Sequence, residues 1–195
     1  MTLPAEISVD PIDHLLEEHR EIMARVVEVR AAMLQLAEAG AAALNECLPV
    51  LRRFGEMMAT TLELHARKED EALFPAVEAV FGTGFGPTQV MRGEHQTIRA
   101  QGELLHKTLH ELRTVEHPAL EAKREALLSL LGSGPAEAVA LPGMAREIIE
   151  LLDSHFAKEE QILFPLARQA LDPPTMAFVA AAMQEIGLTG LATSS

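Results

Sequence analysis

The chain of 195 residues holds one cysteine, no tryptophan and no tyrosine. A single thiol, Cys47, excludes an intramolecular disulfide, a Cys-x-x-Cys redox pair and an iron–sulfur cluster held by one chain; its plain reading is a small apolar filler. The missing tyrosine excludes a tyrosyl radical. Basic residues are few as well, 16 Lys and Arg against 29 Asp and Glu, for a net charge of −13. They form no arm or stripe, which argues against nucleic acid, whose affinity rests on cations that neutralise phosphates. No run of 18 uncharged apolar residues is long enough to span a membrane, and the N-terminus shows no basic stretch followed by an apolar one. The expectation is a cytoplasmic protein with no membrane partner.

Strand signals are scarce too. No alternating Val, Ile and Thr run occurs, and apolar residues recur instead at i, i+3, i+4 and i+7 among Ala, Leu, Glu, Arg and Met. Gly and Pro fall in clusters at Gly40, 82–87, 115–118, 132–135 and 172–174, cutting the chain into helix-length pieces. One such piece covers about 10–38, with Asp10 as N-cap and Pro11 in the first turn; another covers about 87–114 and opens on Pro87. The expected fold is all-α, an antiparallel up-down four-helix bundle with short extra helices near 118–131 and 174–186. A single domain is expected over 1–195, with its bundle core at about 10–170 and a short helix and tail at 171–195.

What the chain does carry is a repeat. The stretch 65-HARKEDEALFP-75 returns as 155-HFAKEEQILFP-165, both reading H-x3-E-x4-F-P, and each half opens on an EH doublet, at 18–19 and at 94–95. Counting about 100° per residue, His19, His65 and His155 lie in the middle of apolar stripes, and His95 lies in a weaker one beside Arg92 and Arg99. Glu69 and Glu159 fall about 40° from the histidines four residues before them, whereas Asp70 and Glu160 fall at about 140° and point away. Phe74 and Phe164 come out opposite their histidines on a straight helix, unless the prolines that follow turn them inward. His14 reads as solvent-facing, His106 as lying about 16 Å along the helix from His95, and His110 and His117 as ends of loops.

One histidine on an apolar face is ordinarily a core histidine with a hydrogen-bond partner. A buried glutamate is harder to accommodate, because removing a carboxylate from water costs several kcal/mol unless it is paired or binds a metal. Arg99 could pair with one of the two, but the other three helices show no inward Lys or Arg. Four imidazoles and two carboxylates converging from four helices suit two transition-metal ions. If both carboxylates bridge and an oxo or hydroxo group is shared, ten of the twelve positions of two octahedra are filled, and two stay open for a small ligand. Imidazole and carboxylate without thiolate favour iron, with manganese or zinc as alternatives.

These motifs, together over about 10–170, resemble the bacterial hemerythrin-like, or HHE cation-binding, family. The resemblance implies a four-helix bundle holding a non-haem di-iron centre, with ligands at His19, His65, Glu69, His95, His155 and Glu159, and with Glu69 and Glu159 bridging. Arg99 stands where the oxygen-carrying hemerythrins have a further histidine, and their last carboxylate would fall at Glu160. Both departures point away from simple reversible oxygen carriage. Repair proteins of the wider family usually carry a cysteine-bearing domain, of which this chain shows no sign. The expected function is binding of, or reaction with, oxygen, nitric oxide or peroxide in sensing, scavenging or iron handling; the alternative is a regulatory or interaction module whose metal is structural. No catalytic residue and no organic substrate pocket can be read from the sequence.

Overall fold

The computed structural model describes residues 10–114 and 136–192. It is all-α, with no strand among the described residues, as the sequence leads one to expect. Helix α1 runs over Pro11–Ala39, α2 over Leu44–Met57, α3 over Glu63–Lys68 and α4 over Phe74–Phe81. Then come α5 over Gly86–Thr114, α6 over Ala136–Lys158, α7 over Phe164–Ala170 and α8 over Pro173–Ala192. The helix expected at 118–131 lies outside the described residues. The last helix is longer than its expected 174–186.

The helix starts follow the local chemistry. The Asp10 carboxylate accepts the Ile12 amide at 2.8 Å, with Pro11 in the first turn, where its missing N–H costs nothing. Asp172 does the same for Thr175 at 3.0 Å, ahead of Pro173 and Pro174. The turn between α4 and α5 needs glycine: Gly82 and Gly84 hold φ of 99° and 86°, a region that side chains with a Cβ avoid.

Wide π turns interrupt the helical path at Met58–Leu62, Glu69–Leu73 and Glu159–Leu163. The last two fall at the same place in the two sequence repeats. In each, the amide of the following phenylalanine reaches back five residues, Phe74 to the Glu69 carbonyl and Phe164 to the Glu159 carbonyl. A proline comes next in both copies, and it can neither donate an N–H nor tolerate the carbonyl four residues back in a tight turn. The extra residue in the wide turn rotates everything after it. Phe74 and Phe164, placed outward on a straight helix, are therefore buried, at 0% and 2% exposed, while Pro75 and Pro165 face out. The wide turn, rather than a kink at proline, brings the rings inward.

The chain divides into two compact units. The first gathers residues up to Ile22, Thr60–Gln96 and Asp153 onward; the second gathers Met23–Ala59 and Thr97–Leu152. In the first, Ile12, Leu15, Leu73, Phe74, Met91, Leu163 and Phe164 form a core onto which α8 lays Val179, Met183 and Ile186. In the second, Val26, Val29, Leu51, Phe54, Leu105, Leu109, Leu141, Ile148 and Leu152 are buried. Cys47 is buried there as the expected filler, its thiol 3.4 Å from the Ala32 carbonyl. A Cβ at Gly102 would stand 3.0 Å from the methyl at the flexible end of Met58.

Phe74→Ala in the metal-free chain is expected to cost about 3–5 kcal/mol in urea unfolding, whereas Phe178→Ala, at a position 73% exposed, should cost under about 1 kcal/mol. Equal costs would contradict the inward rotation at the wide turn.

Candidate metal centre

The six residues selected from the sequence come together inside the first unit. His19 stands on α1, His65 on α3, His95 on α5 and His155 on α6, while Glu69 and Glu159 each open a wide turn. All six are at most 2% exposed. Residues four apart share a helix face, so each H-x3-E segment delivers an imidazole and a carboxylate to the same space.

Their atoms fall into two quartets: His19, His65, Glu69 and Glu159, and Glu69, His95, His155 and Glu159. In each, one donor atom per residue can be chosen so that all lie within 4.8 Å of one another. Both quartets use both glutamates. Glu159 lies 3.3 Å from His19 Nε2 on one side and 3.1 Å from His155 Nε2 on the other. Glu69 lies 3.6 Å from His65 Nε2 and 3.3 Å from His95 Nε2. The two halves match closely, with His19 and His65 rings 4.8 Å apart at 61° and His95 and His155 rings 4.7 Å apart at 67°.

Despite these short approaches, none of the four oxygens of Glu69 and Glu159 makes a hydrogen bond, nor does His95 Nε2. Sealed, unpartnered carboxylate oxygens cost free energy, and no hydrogen-bonded cation neutralises them. A cation among these donors would satisfy them at once. The donor set, imidazole nitrogen and carboxylate oxygen without thiolate, fits iron, manganese or zinc.

The outward face of each imidazole is equally well defined. His65 Nδ1 donates to Glu18 at 3.0 Å and His155 Nδ1 to Glu94 at 3.0 Å. His19 Nδ1 donates to Glu160 at 2.8 Å and His95 Nδ1 to Asp70 at 3.0 Å. Each carboxylate holds Nδ1 and so turns Nε2 to the interior. Lys68 in turn binds Glu18, Lys158 binds Glu94, and Arg92 binds the Asp70 carbonyl at 2.9 Å.

These outer residues are the ones the sequence reading missed or turned the wrong way. Asp70 and Glu160 point away from their own helix's apolar stripe, but that direction lies along the seam with the neighbouring helix, where His95 and His19 present Nδ1. Lys68 is an inward cation, 4% exposed, where none was expected on that helix, and it neutralises Glu18 rather than Glu69. A signal was available, since both repeats read H-x-x-K-E. His14 is only partly exposed and accepts from Lys68 at 2.8 Å. His106 and His110 are exposed on the part of α5 that belongs to the second unit. His117 lies outside the described residues.

Proton affinities follow from this packing. Burial disfavours the charged form of His95, but Asp70 and Glu69 outweigh it and its pKa is pushed up to about 10. His19 and His155 are raised in the same manner, chiefly by Glu159 against their burial. Glu159 is held below the usual carboxylate range, its burial outweighed by His155 and His19. Protons on His19, His95 and His155 thus stand in for the cation in the metal-free state.

A family model described as the hemerythrin HHE cation binding domain matches residues 10–167. Among curated proteins, the iron-sulfur cluster repair protein YtfE of Escherichia coli O81 (strain ED1a) is 27% identical over 164 residues, covering 80% of this chain and 64% of the relative. Its counterparts in Escherichia coli O1:K1 / APEC and in Shigella boydii serotype 18 are 26% identical with the same coverage. The chain thus spans somewhat under two thirds of these relatives' length. No solved structure matches it.

Two outcomes are expected. A raised histidine pKa gives stability that is complete below the ordinary value of 6.5 and is lost as pH rises through the raised one, for His95 about 10. The lowered Glu159 gives stability present above 4.5 and lost below it. The chelator-treated chain should therefore melt highest between 4.5 and 6.5 and lower towards 10, and a melting temperature that climbs over that upper range would contradict the proton-filled site. Separately, Asp70→Asn or Glu94→Gln should weaken metal affinity about 10–100-fold in competition with a coloured chelator, whereas unchanged affinity would deny these carboxylates their orienting role.

Proposed function

The chain belongs to the hemerythrin HHE cation-binding domain family, and from that premise we propose that its buried centre holds two iron ions and meets a small ligand: oxygen, nitric oxide or peroxide. His19 and His65 would hold one ion and His95 and His155 the other, with Glu69 and Glu159 common to both donor quartets. The observation that carries this reading is that two donor quartets share both glutamates while no carboxylate oxygen in them has a hydrogen-bond partner. A single ion would leave one half unexplained. The match to a cation-binding domain and the relatives named for iron-sulfur cluster repair support iron.

When bound, such an ion pair supplies a two-electron couple and open positions for a small exogenous ligand. The protein's part is arrangement. The Nδ1 bonds to Glu18, Asp70, Glu94 and Glu160 hold each ring with Nε2 inward. The rings of Phe74, Phe156 and Phe164 pack against the imidazoles and restrict the space to small guests. Metal held at Nε2 would release the inward protons of the imidazoles, so its affinity falls as pH is lowered. The role is sensing, scavenging or iron handling, with the ligand a small molecule rather than an organic substrate. Repair of iron-sulfur clusters, the role in the relatives' name, is one form of iron handling.

The iron-loaded, reduced protein should develop a new charge-transfer band when air is admitted. A band that persists under vacuum indicates oxidation and hence redox, peroxide or nitric oxide chemistry; one that disappears indicates reversible oxygen binding. No response to oxygen, nitric oxide or peroxide, together with unfolding on chelation, would overturn the reading in favour of a regulatory module with a structural metal. The double variant His65→Ala, His155→Ala should retain less than about one iron per chain against about two in the parent, and full occupancy would refute the ligand assignment.

A further inference from the structure

The buried centre gathers four of the chain's eight histidines, and a fifth, His14, is tied to Lys68. Two of the remainder, His106 and His110, stand four residues apart on α5, and Glu103 comes three residues before the first of them. All three are exposed, and they belong to the second unit. The buried centre makes no use of them.

At about 100° per residue from His106, His110 falls at about 40° and Glu103 at about 60°, so the three share one stripe of the helix. Leu105 and Leu109 carry the burial of this stretch on a different side. The neighbouring cations stand off the trio, Lys107 about 100° round the helix from His106 and Arg99 about 10 Å before it along the axis. Among the described residues, none of the three side chains is held elsewhere by a hydrogen bond or an ion pair.

We infer that His106, His110 and Glu103 form a second metal site, open to solvent and distinct from the buried centre, for one divalent ion of the zinc and copper class. Side chains one helical turn apart have Cβ atoms about 5–6 Å from each other, a spacing at which two imidazoles take adjacent positions on one ion, as paired histidines at i and i+4 do for zinc. Glu103 supplies a carboxylate oxygen for a third position, and water completes the shell. Copper and zinc outrank ferrous iron at such nitrogen and oxygen donors. Among the described residues, the donors already drawn around one point are the two buried quartets, so the α5 trio closes on its ion by rotating exposed side chains between rotamers. That ordering costs affinity, which makes the site a micromolar, exchangeable one. It shares no donor with the buried centre, and its ion staples two successive turns of α5.

Zinc alone serves as the probe, added in a calorimetric titration to the full chain after iron loading and removal of unbound metal, with iron content measured before and after. The parent should take up about one zinc ion per chain at micromolar affinity without losing iron. His106→Ala and His110→Ala should each weaken that binding at least about tenfold, because a lone imidazole forfeits the effective concentration that its neighbour supplies. Glu103→Gln should weaken it by a smaller factor. These exposed replacements leave the fold intact, and the double variant His106→Ala, His110→Ala should lose one zinc equivalent whatever fills the buried centre. Zinc uptake that is absent in the parent, that persists in the double variant, or that is matched by loss of iron would overturn the inference, as would single variants weakened less than about twofold. The iron assay reports on the buried centre and the zinc titration on α5, so either reading can fail alone.

Discussion

Two glutamates sealed in a helical core without a hydrogen bond are the constraint to which the rest of the first unit answers. A carboxylate buried that completely is tolerated only beside compensating positive charge, and here histidines crowd both glutamates within 3.9 Å. The outer layer does not cancel the charge. Glu18, Asp70, Glu94 and Glu160 add four carboxylates around the imidazoles, against Lys68, Lys158 and Arg92. The cluster therefore carries an excess of negative charge that draws cations inward. Without metal the cations are protons, which is why His19, His95 and His155 hold theirs so firmly. The same excess that makes a metal welcome makes the empty site basic.

The repeat and its spacing made much of this legible. An H-x3-E segment puts two donors on one face whatever surrounds it, and two such segments plus two EH doublets on apolar stripes select the six donors the structure gathers. What escaped did so for two physical reasons. A helical wheel knows directions about one axis, whereas the Nδ1 partners act across the seam to a neighbouring helix, so Asp70 and Glu160 read as outward although they touch the rings. The wheel also assumes 3.6 residues per turn throughout. The wide turns at Glu69–Leu73 and Glu159–Leu163 add a residue, and a prediction made before them is out of phase after them, which is what happened at Phe74 and Phe164.

Those wide turns are more than an irregularity. The glutamate that begins each one must present its carboxylate to two quartets, and the phenylalanine that ends it must return to the same interior to pack on an imidazole, at 5.8 Å for Phe74 on His95 and 5.4 Å for Phe164 on His19. On a regular helix the two positions, five apart, diverge by about 140°. One extra residue in the turn reconciles them, and the proline after each phenylalanine penalises the tight alternative. The motif H-x3-E-x4-F-P is thus a statement about backbone shape as much as about donors.

Duplication also explains where the halves were free to differ. The donors and their Nδ1 partners are tied to each other by short contacts, so a change in one half would orphan a buried charge, and the halves have kept the same chemistry at these positions. Positions one step removed carry no such tie. Lys68 is 4% exposed and shares Glu18 with His14, whereas its counterpart Lys158 has a side chain 38% exposed, and the counterpart of His14, five residues before the ligand histidine, is Val90. Ala66 and Phe156 differ by a whole ring. With the same donor types in both quartets, any difference between the two halves in how a metal would be held or released would have to come from these neighbours.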